Sequence, residues 1–158
     1  MTPEIRENMA RAIHEKYRMD RIGKAGSDDP SLARWEHLPE YLKESNRQQA
    51  DDISEKLHRI GCTVRKGIGS HIRQVALTQG EIEIMAEMEH ERWNAERLRD
   101  GWKLGKTKDV GNKISPYLVG WSELPDDAKE WDREAVRRIP EILAKVGLEV
   151  RRGKQEIS

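Results

Sequence analysis

The chain has 158 residues, enough for one domain with an ordinary core, and its 29 Lys plus Arg balance 29 Asp plus Glu. That neutrality argues against a general binder of extended nucleic acid, which carries a basic excess, while leaving room for a local basic site. Charged residues (37%) outnumber hydrophobic ones (35%), and five tryptophans stand where phenylalanine is absent, so indoles must supply the bulky packing.

The first helix is expected to open at Thr2-Pro3-Glu4, which places an N-cap, a first-turn proline and an acid at the positive dipole end. Ile5, Met9, Ile13 and Tyr17 follow on one face. A second helix begins after Leu38-Pro39, carries the stripe Leu42, Ala50, Ile53, Leu57 and Ile60, and stops at Gly61. A short extended piece over 62–66 and a connector over 67–78 come next. Thr78 with Glu81 has the form of a capping box before Ile82, Met85, Ala86 and Trp93, and Gly101 is a natural stop. After a long loop, Leu124-Pro125 opens another helix with the stripe Ala128, Val136, Ile139, Leu143 and Val146, in which Pro140 should kink or restart the helix. Gly147 ends it, 148–152 reads as a strand, and 153–158 as a frayed tail.

These elements are one unit written twice. Residues 30–66 laid over 116–152 give 14 identities in 37 ungapped positions, including Pro30/Pro116, Trp35/Trp121, Leu38-Pro39/Leu124-Pro125 and Gly61/Gly147. Upstream, 5–21 over 81–97 aligns Met9-Ala10 with Met85-Ala86, His14-Glu15 with His90-Glu91, Tyr17 with Trp93 and Arg21 with Arg97. The expectation is a mainly α protein, one domain over 1–158, with pseudo-symmetric helix-loop-helix-short strand repeats at about 3–66 and 79–152. The two short strands could pair across a pseudo-twofold axis, though a two-stranded ribbon alone is marginal.

The second copy reads Glu89-His90-Glu91-Arg92-Trp93, Gly101-Trp102-Lys103-Leu104-Gly105, Pro116-Tyr117-Leu118-Val119 and Leu124-Pro125, with Lys129, Arg133 and Gly147 beyond. This string resembles the ryanodine receptor (RyR) repeat family, in the form of a small prokaryotic or phage-type protein whose first repeat is degenerate. The first copy keeps His14, Pro30, Trp35, Leu38-Pro39 and Gly61 but lacks the Gly-Trp-x-x-Gly turn and has a shorter loop after Tyr17. The resemblance implies a helical fold of paired repeats, no catalysis, and a nucleotide-derived ligand in the cleft between repeats.

Two readings of the duplicated aromatic stay open: Tyr17 and Trp93 either stack a nucleobase between them, worth roughly 1–3 kcal/mol per base, or fill the core. Arg21 and Arg97, one helical turn later, would point the same way as the rings and reach phosphate by a bidentate fork. Between Arg97 and Lys113 six basic residues face two acids; Lys103 and Lys113 are candidates for phosphate contact, and Tyr117 for the cleft wall. His14 and His90 read as structural, since Arg18 and Asn94 stand where His-Glu-x-x-His needs its second histidine. Trp35, Trp102 and Trp121 read as core or loop-locking residues, and Lys129 and Arg133, echoed by Lys43 and Arg47, as ion-pair partners. Gly67-Ile68-Gly69 is too short a signal for a phosphate cradle, and the chain has no calcium loop or nucleophile motif.

The expected function is a non-catalytic module binding a small molecule, a nucleotide or cyclic nucleotide, with no metal or cofactor. The alternative is a protein-interaction module. An enzyme, the third reading, would need a carboxylate or histidine poised in the pocket. The sequence lacks an apolar run near the roughly 18 residues of a membrane span and a signal-peptide pattern. With a lone Cys62, which suits a reducing compartment, the expected location is the cytoplasm.

Overall fold

The computed structural model describes residues 1–22, 29–68, 72 and 74–153. Gly69, His71, part of the loop after Tyr17 and the expected tail beyond Gly153 lie outside the described residues. The protein is mainly helical. In chain order the elements are α1 (Pro3–Arg21), α2 (Glu40–Arg59), β1 (Cys62–Lys66), α3 (Gln79–Arg99), β2 (Lys103–Leu104), β3 (Ile114–Ser115), α4 (Asp126–Arg137), α5 (Ile139–Ala144) and β4 (Leu148–Arg152). Single 3-10 turns at Pro30–Leu32, Trp35–His37 and Trp121–Glu123 precede the second helix of each copy.

The chain divides into two compact units, Met1–Ala76 with Ile139–Ser158, and Leu77–Arg138. The boundary therefore falls inside the second repeat and not only in the connector. Its local cause is Pro140: a proline there cannot donate to the carbonyl of Val136 and its ring crowds that carbonyl. The helix accordingly stops at Arg137 and restarts at Ile139, where proline is tolerated in a first turn.

In the first unit, the Ile5 N–H donates to Thr2 Oγ1 at 3.1 Å and caps α1. Ile5, Met9, Ala10 and Ala12 of α1 are buried, as are Ala50, Ile53 and Leu57 of α2. Leu143 of α5 and Leu148 of β4 complete this core, each fully buried and each worth roughly 1.5–3 kcal/mol in transfer terms. β1 pairs antiparallel with β4, with Val64 opposite Val150. Those two valines occupy the same position of the two copies, so the ribbon is symmetric about them. Its ends repeat the symmetry: the Gly67 N–H donates to the Gly147 carbonyl at 2.8 Å, and the Gly153 N–H to the Gly61 carbonyl at 2.6 Å. Gly61 and Gly147 both take left-handed backbone, φ +81° and +74°, which glycine adopts without a Cβ penalty.

In the second unit, α3 opens with the expected capping box: the Glu81 N–H donates to Thr78 Oγ1, and the Thr78 N–H to the Glu81 carboxylate. Its buried face carries Ile82, Met85, Ala86 and His90, against Ala128 and Val136 of α4 and Leu124 before it. The helix ends at Gly101, φ +90°. The long loop then holds a two-residue parallel pairing of β2 with β3, an element its basic composition did not announce.

One polar device appears in both units at matched positions. The Arg47 guanidinium bonds the Glu7 carboxylate through Nε at 2.8 Å and Nη2 at 3.2 Å, and its carbon lies 5.9 Å from the Trp35 ring. Arg133 does the same to Glu83, at 2.9 and 3.1 Å, and lies 5.9 Å from the Trp121 ring. Lys43 and Lys129 add a second cation over those indoles, at 5.6 and 5.3 Å. A bidentate fork is geometrically specific, so each pair locks the first helix of a copy to the second.

The same forks make stability pH-dependent. Hydrogen bonding to Arg47 holds the Glu7 carboxyl below its ordinary 4.5, and hydrogen bonding to Arg133 does so for Glu83. A lowered folded-state value gives stability that is fully present above about 4.5, the unfolded value, and lost as pH falls through the folded one. The expected outcome is that the denaturation midpoint drops as pH falls below 4.5, and that Arg47→Met with Arg133→Met flattens this acid limb while lowering the neutral-pH plateau. Urea titrations from pH 3 to 7 check it.

Candidate functional site

The second unit holds a cavity of about 620 Å³, lined by residues of that unit alone. α3 contributes His90, Trp93 and Arg97 at successive turns of one face. The loop adds Trp102, Lys108, Val110 and Tyr117, and α4 adds Trp131 and Asp132. Four aromatic side chains therefore wall one opening. Arg97 lies with its guanidinium carbon 5.6 Å from the Trp93 ring and 5.3 Å from the Trp102 ring. The ring quadrupoles attract the guanidinium charge, and Arg97, with five N–H donors, makes no ion pair among the described residues. Tyr117 and Trp131 meet edge to face at 5.3 Å. Trp131 is 58% exposed, so it forms part of the rim.

What holds this wall is His90. Its Nε2 lies 2.7 Å from the carbonyl oxygen of Val119; a carbonyl only accepts, so Nε2 carries the proton. Asn94 Nδ2 donates to the same oxygen at 2.8 Å. The imidazole stacks on Trp93 at 5.8 Å and 18°, and tilts against Trp121 at 6.1 Å. Its Nδ1 is 3.7 Å from the Asp132 carboxylate. A histidine and a carboxylate thus both line the pocket, with one ring nitrogen committed to the backbone.

The first unit repeats the arrangement in reduced form. His14 Nε2 donates to the Ala33 carbonyl at 2.6 Å, the position matched to Val119. His14 stacks on Tyr17 at 6.5 Å and 22°, and tilts against Trp35 at 6.1 Å. The associated cavity is about 210 Å³ and, Gln49 apart, is lined by the positions matched to those of the larger one. The side chains differ: Tyr17 for Trp93, Ser31 for Tyr117, Leu42 for Ala128, Ser45 for Trp131 and Asn46 for Asp132. Tyr17 Oη and Ser31 Oγ share a hydrogen bond at 3.2 Å. Arg21 covers the Tyr17 ring at 4.9 Å.

Of the seven residues singled out from sequence, Trp93, Arg97 and Tyr117 line the larger pocket together. Tyr17 lines the smaller pocket of the other unit, with Arg21 over its ring. Lys103 is an exposed β2 residue outside the lining. Lys113 is outside it too, because its Nζ turns back to the Asp100 carbonyl at 2.9 Å. Sequence reasoning did not pick Trp131 or Asp132, placed Lys108 only among the basic residues of the loop, and took Trp102 as a core or loop-locking residue, where the structure sets it in the pocket lining against Arg97. The available signal for Trp131 was a large apolar residue among charged neighbours, off the apolar stripe of its helix.

Residues 71–152, just over half of the chain, match the RyR domain family model. The chain belongs to the RyR domain family. The RyR match takes in α3 to β4 and so contains the whole larger pocket; α1, α2 and β1 precede it. No helix among the described residues of this RyR protein is long and apolar enough to cross a membrane.

The shared carbonyl yields a quantitative expectation. His90→Phe or Asn94→Leu leaves Val119 one donor, so each costs about 1 kcal/mol. The double variant leaves a part-buried acceptor unpaired and exceeds the sum of the singles by about 1 kcal/mol or more. A chemical-denaturation double-mutant cycle measures this coupling.

Proposed function

We propose that this RyR protein is a non-catalytic binding module whose aromatic pocket receives a nucleotide or a nucleotide-derived signal such as a cyclic nucleotide. The observation that carries the reading is a pocket that combines ring faces with unspent cationic donors: Trp93, Trp102, Tyr117 and Trp131 around Arg97 and Lys108. A cavity of about 620 Å³ lies within the roughly 300–1,000 Å³ typical of small-molecule sites. A base would rest on an indole and the phosphate would meet Arg97, whose planar fork suits it better than a lysine point charge. The contrast between copies supports the same view, since the first has serines where the second has Tyr117 and Trp131.

A non-catalytic role is supported by the repetition of the histidine. His14 and His90 make the same bond to a loop carbonyl, which marks the imidazole as a structural tie and leaves Asp132 as the carboxylate of the pocket. Action in the cytoplasm is part of the proposal, on the ground of the single buried thiol of Cys62. The second reading, a protein-interaction module, draws on the rim: Trp131 and Val110 are 58% and 65% exposed and would receive an apolar side chain of a partner. Duplication of one ancestral repeat accounts for the matched contacts.

Calorimetric titration with mono-, di- and cyclic nucleotides tests the proposal. Binding at micromolar affinity or better is expected, weakened by about 1–3 kcal/mol in Trp93→Ala. If the folded wild type binds none of the panel, the nucleotide reading fails for those ligands and partner capture through Trp131 becomes the reading to pursue.

A further inference from the structure

The first unit carries a second, chemically different cavity of about 580 Å³ on another side of α1 from Tyr17. Its floor includes Trp35, and its charged lining consists of Arg11, Lys16, Arg18, Arg34 and Lys145 against Glu15 and Glu36. That is an excess of three positive charges in a chain whose net charge is zero. At the matched positions of the other copy Glu87, Asn94 and Gly120 replace Arg11, Arg18 and Arg34, and the whole matched set sums to zero. The excess is thus a property of this cavity and not of the repeat.

The cations differ in how far they are already engaged. Lys16 pairs with Asp20 at 3.0 Å and Lys145 with Glu141 at 3.7 Å. Arg18 donates from Nε to the Leu32 carbonyl at 3.0 Å, which fixes its direction, and pairs with Glu15 at 3.1 Å. Arg11 lies over the Trp35 ring at 5.7 Å, and neither Arg11 nor Arg34 makes an ion pair among the described residues. The carboxyl of Glu36 is held below its usual range, first by its own backbone N–H and then by Arg11, His37 and Arg34; a positive local potential has that sign.

We propose that this cavity is a separate anion site for a small, multiply charged phosphate of the condensed-phosphate class. Two guanidinium groups with unspent donors supply forked contacts to phosphate oxygens. Arg18, held by the backbone, gives a preoriented third charge. Converging like charges in a concavity raise the local concentration of a polyanion above what a flat surface achieves. The site draws on none of the aromatic-pocket residues, so it stands or falls apart from the nucleotide proposal.

The test is calorimetric titration of the full chain with sodium tripolyphosphate at low salt, beside a short single-stranded oligonucleotide. The expected result is one tripolyphosphate site whose affinity falls at least tenfold in the Arg11→Gln/Arg34→Gln variant. Trp93→Ala should not change it. Neither should Arg99→Gln/Lys106→Gln, which removes the same charge from the other unit. Arg11 and Arg34 are exposed, so an unchanged melting curve for their double variant is expected and confirms folding. The proposal is overturned by absence of tripolyphosphate binding, by an equal loss in the Arg99/Lys106 control, or by binding of the oligonucleotide alone.

Discussion

Each copy of the repeat depends on a single hydrogen bond, from an imidazole in the first helix to a carbonyl in the loop that leads to the second. His14 to Ala33 and His90 to Val119 are both near 2.7 Å or shorter, and both imidazoles are buried. Without its histidine the Ala33 carbonyl would lose its donor beside a packed indole, at a cost of about 1–3 kcal/mol, whereas Val119 would keep Asn94 as a second donor. The bond also sets the ring plane of the histidine, and two aromatic neighbours pack on that plane. In the second unit those neighbours are Trp93, a wall of the pocket, and Trp121, which the Arg133–Glu83 fork holds from the other side. The pocket is open because its walls are fixed from behind.

With that frame constant, the two copies differ in the residues on its surfaces. In the first, small hydroxylated residues line the smaller cavity, and Tyr17 and Ser31 satisfy each other. In the second, aromatic residues replace them and an insertion supplies Trp102 and Lys108, giving Arg97 two indoles to lie between. The charge moves the other way: Arg11, Arg18 and Arg34 belong to the first copy alone. One fold thereby presents an aromatic surface in one unit and a cationic one in the other.

Much of the framework was legible in the sequence. The Thr2 cap, the Thr78–Glu81 box, the glycine stops and the break at Pro140 depend on neighbours three or four residues away, and local rules describe them. Repetition of the two short strands allowed their pairing without requiring it, and the register places Val64 on Val150. The candidate site was read less completely. Trp93, Arg97 and Tyr117 were singled out and do share a pocket. Trp131 was passed over because it stands outside the apolar stripe of its helix, and periodicity assigns bulk to stripes.

The sequence by itself determined the helices, their ends, the repeat and the family, because these rest on short-range backbone chemistry and on residue identities at fixed spacing. Tertiary structure decided which side chains share a cavity. Lys113 has the composition of a phosphate ligand, yet its left-handed backbone, φ 56°, and its bond to the Asp100 carbonyl turn it aside. Lys108, five residues earlier, lines the pocket. The tertiary structure also decided where the chain divides: the restart at Ile139 and the pairing of β4 with β1 place the end of the second repeat in the first compact unit. No local rule contains that partition, since it depends on a hydrogen-bonded partner more than eighty residues away in the chain.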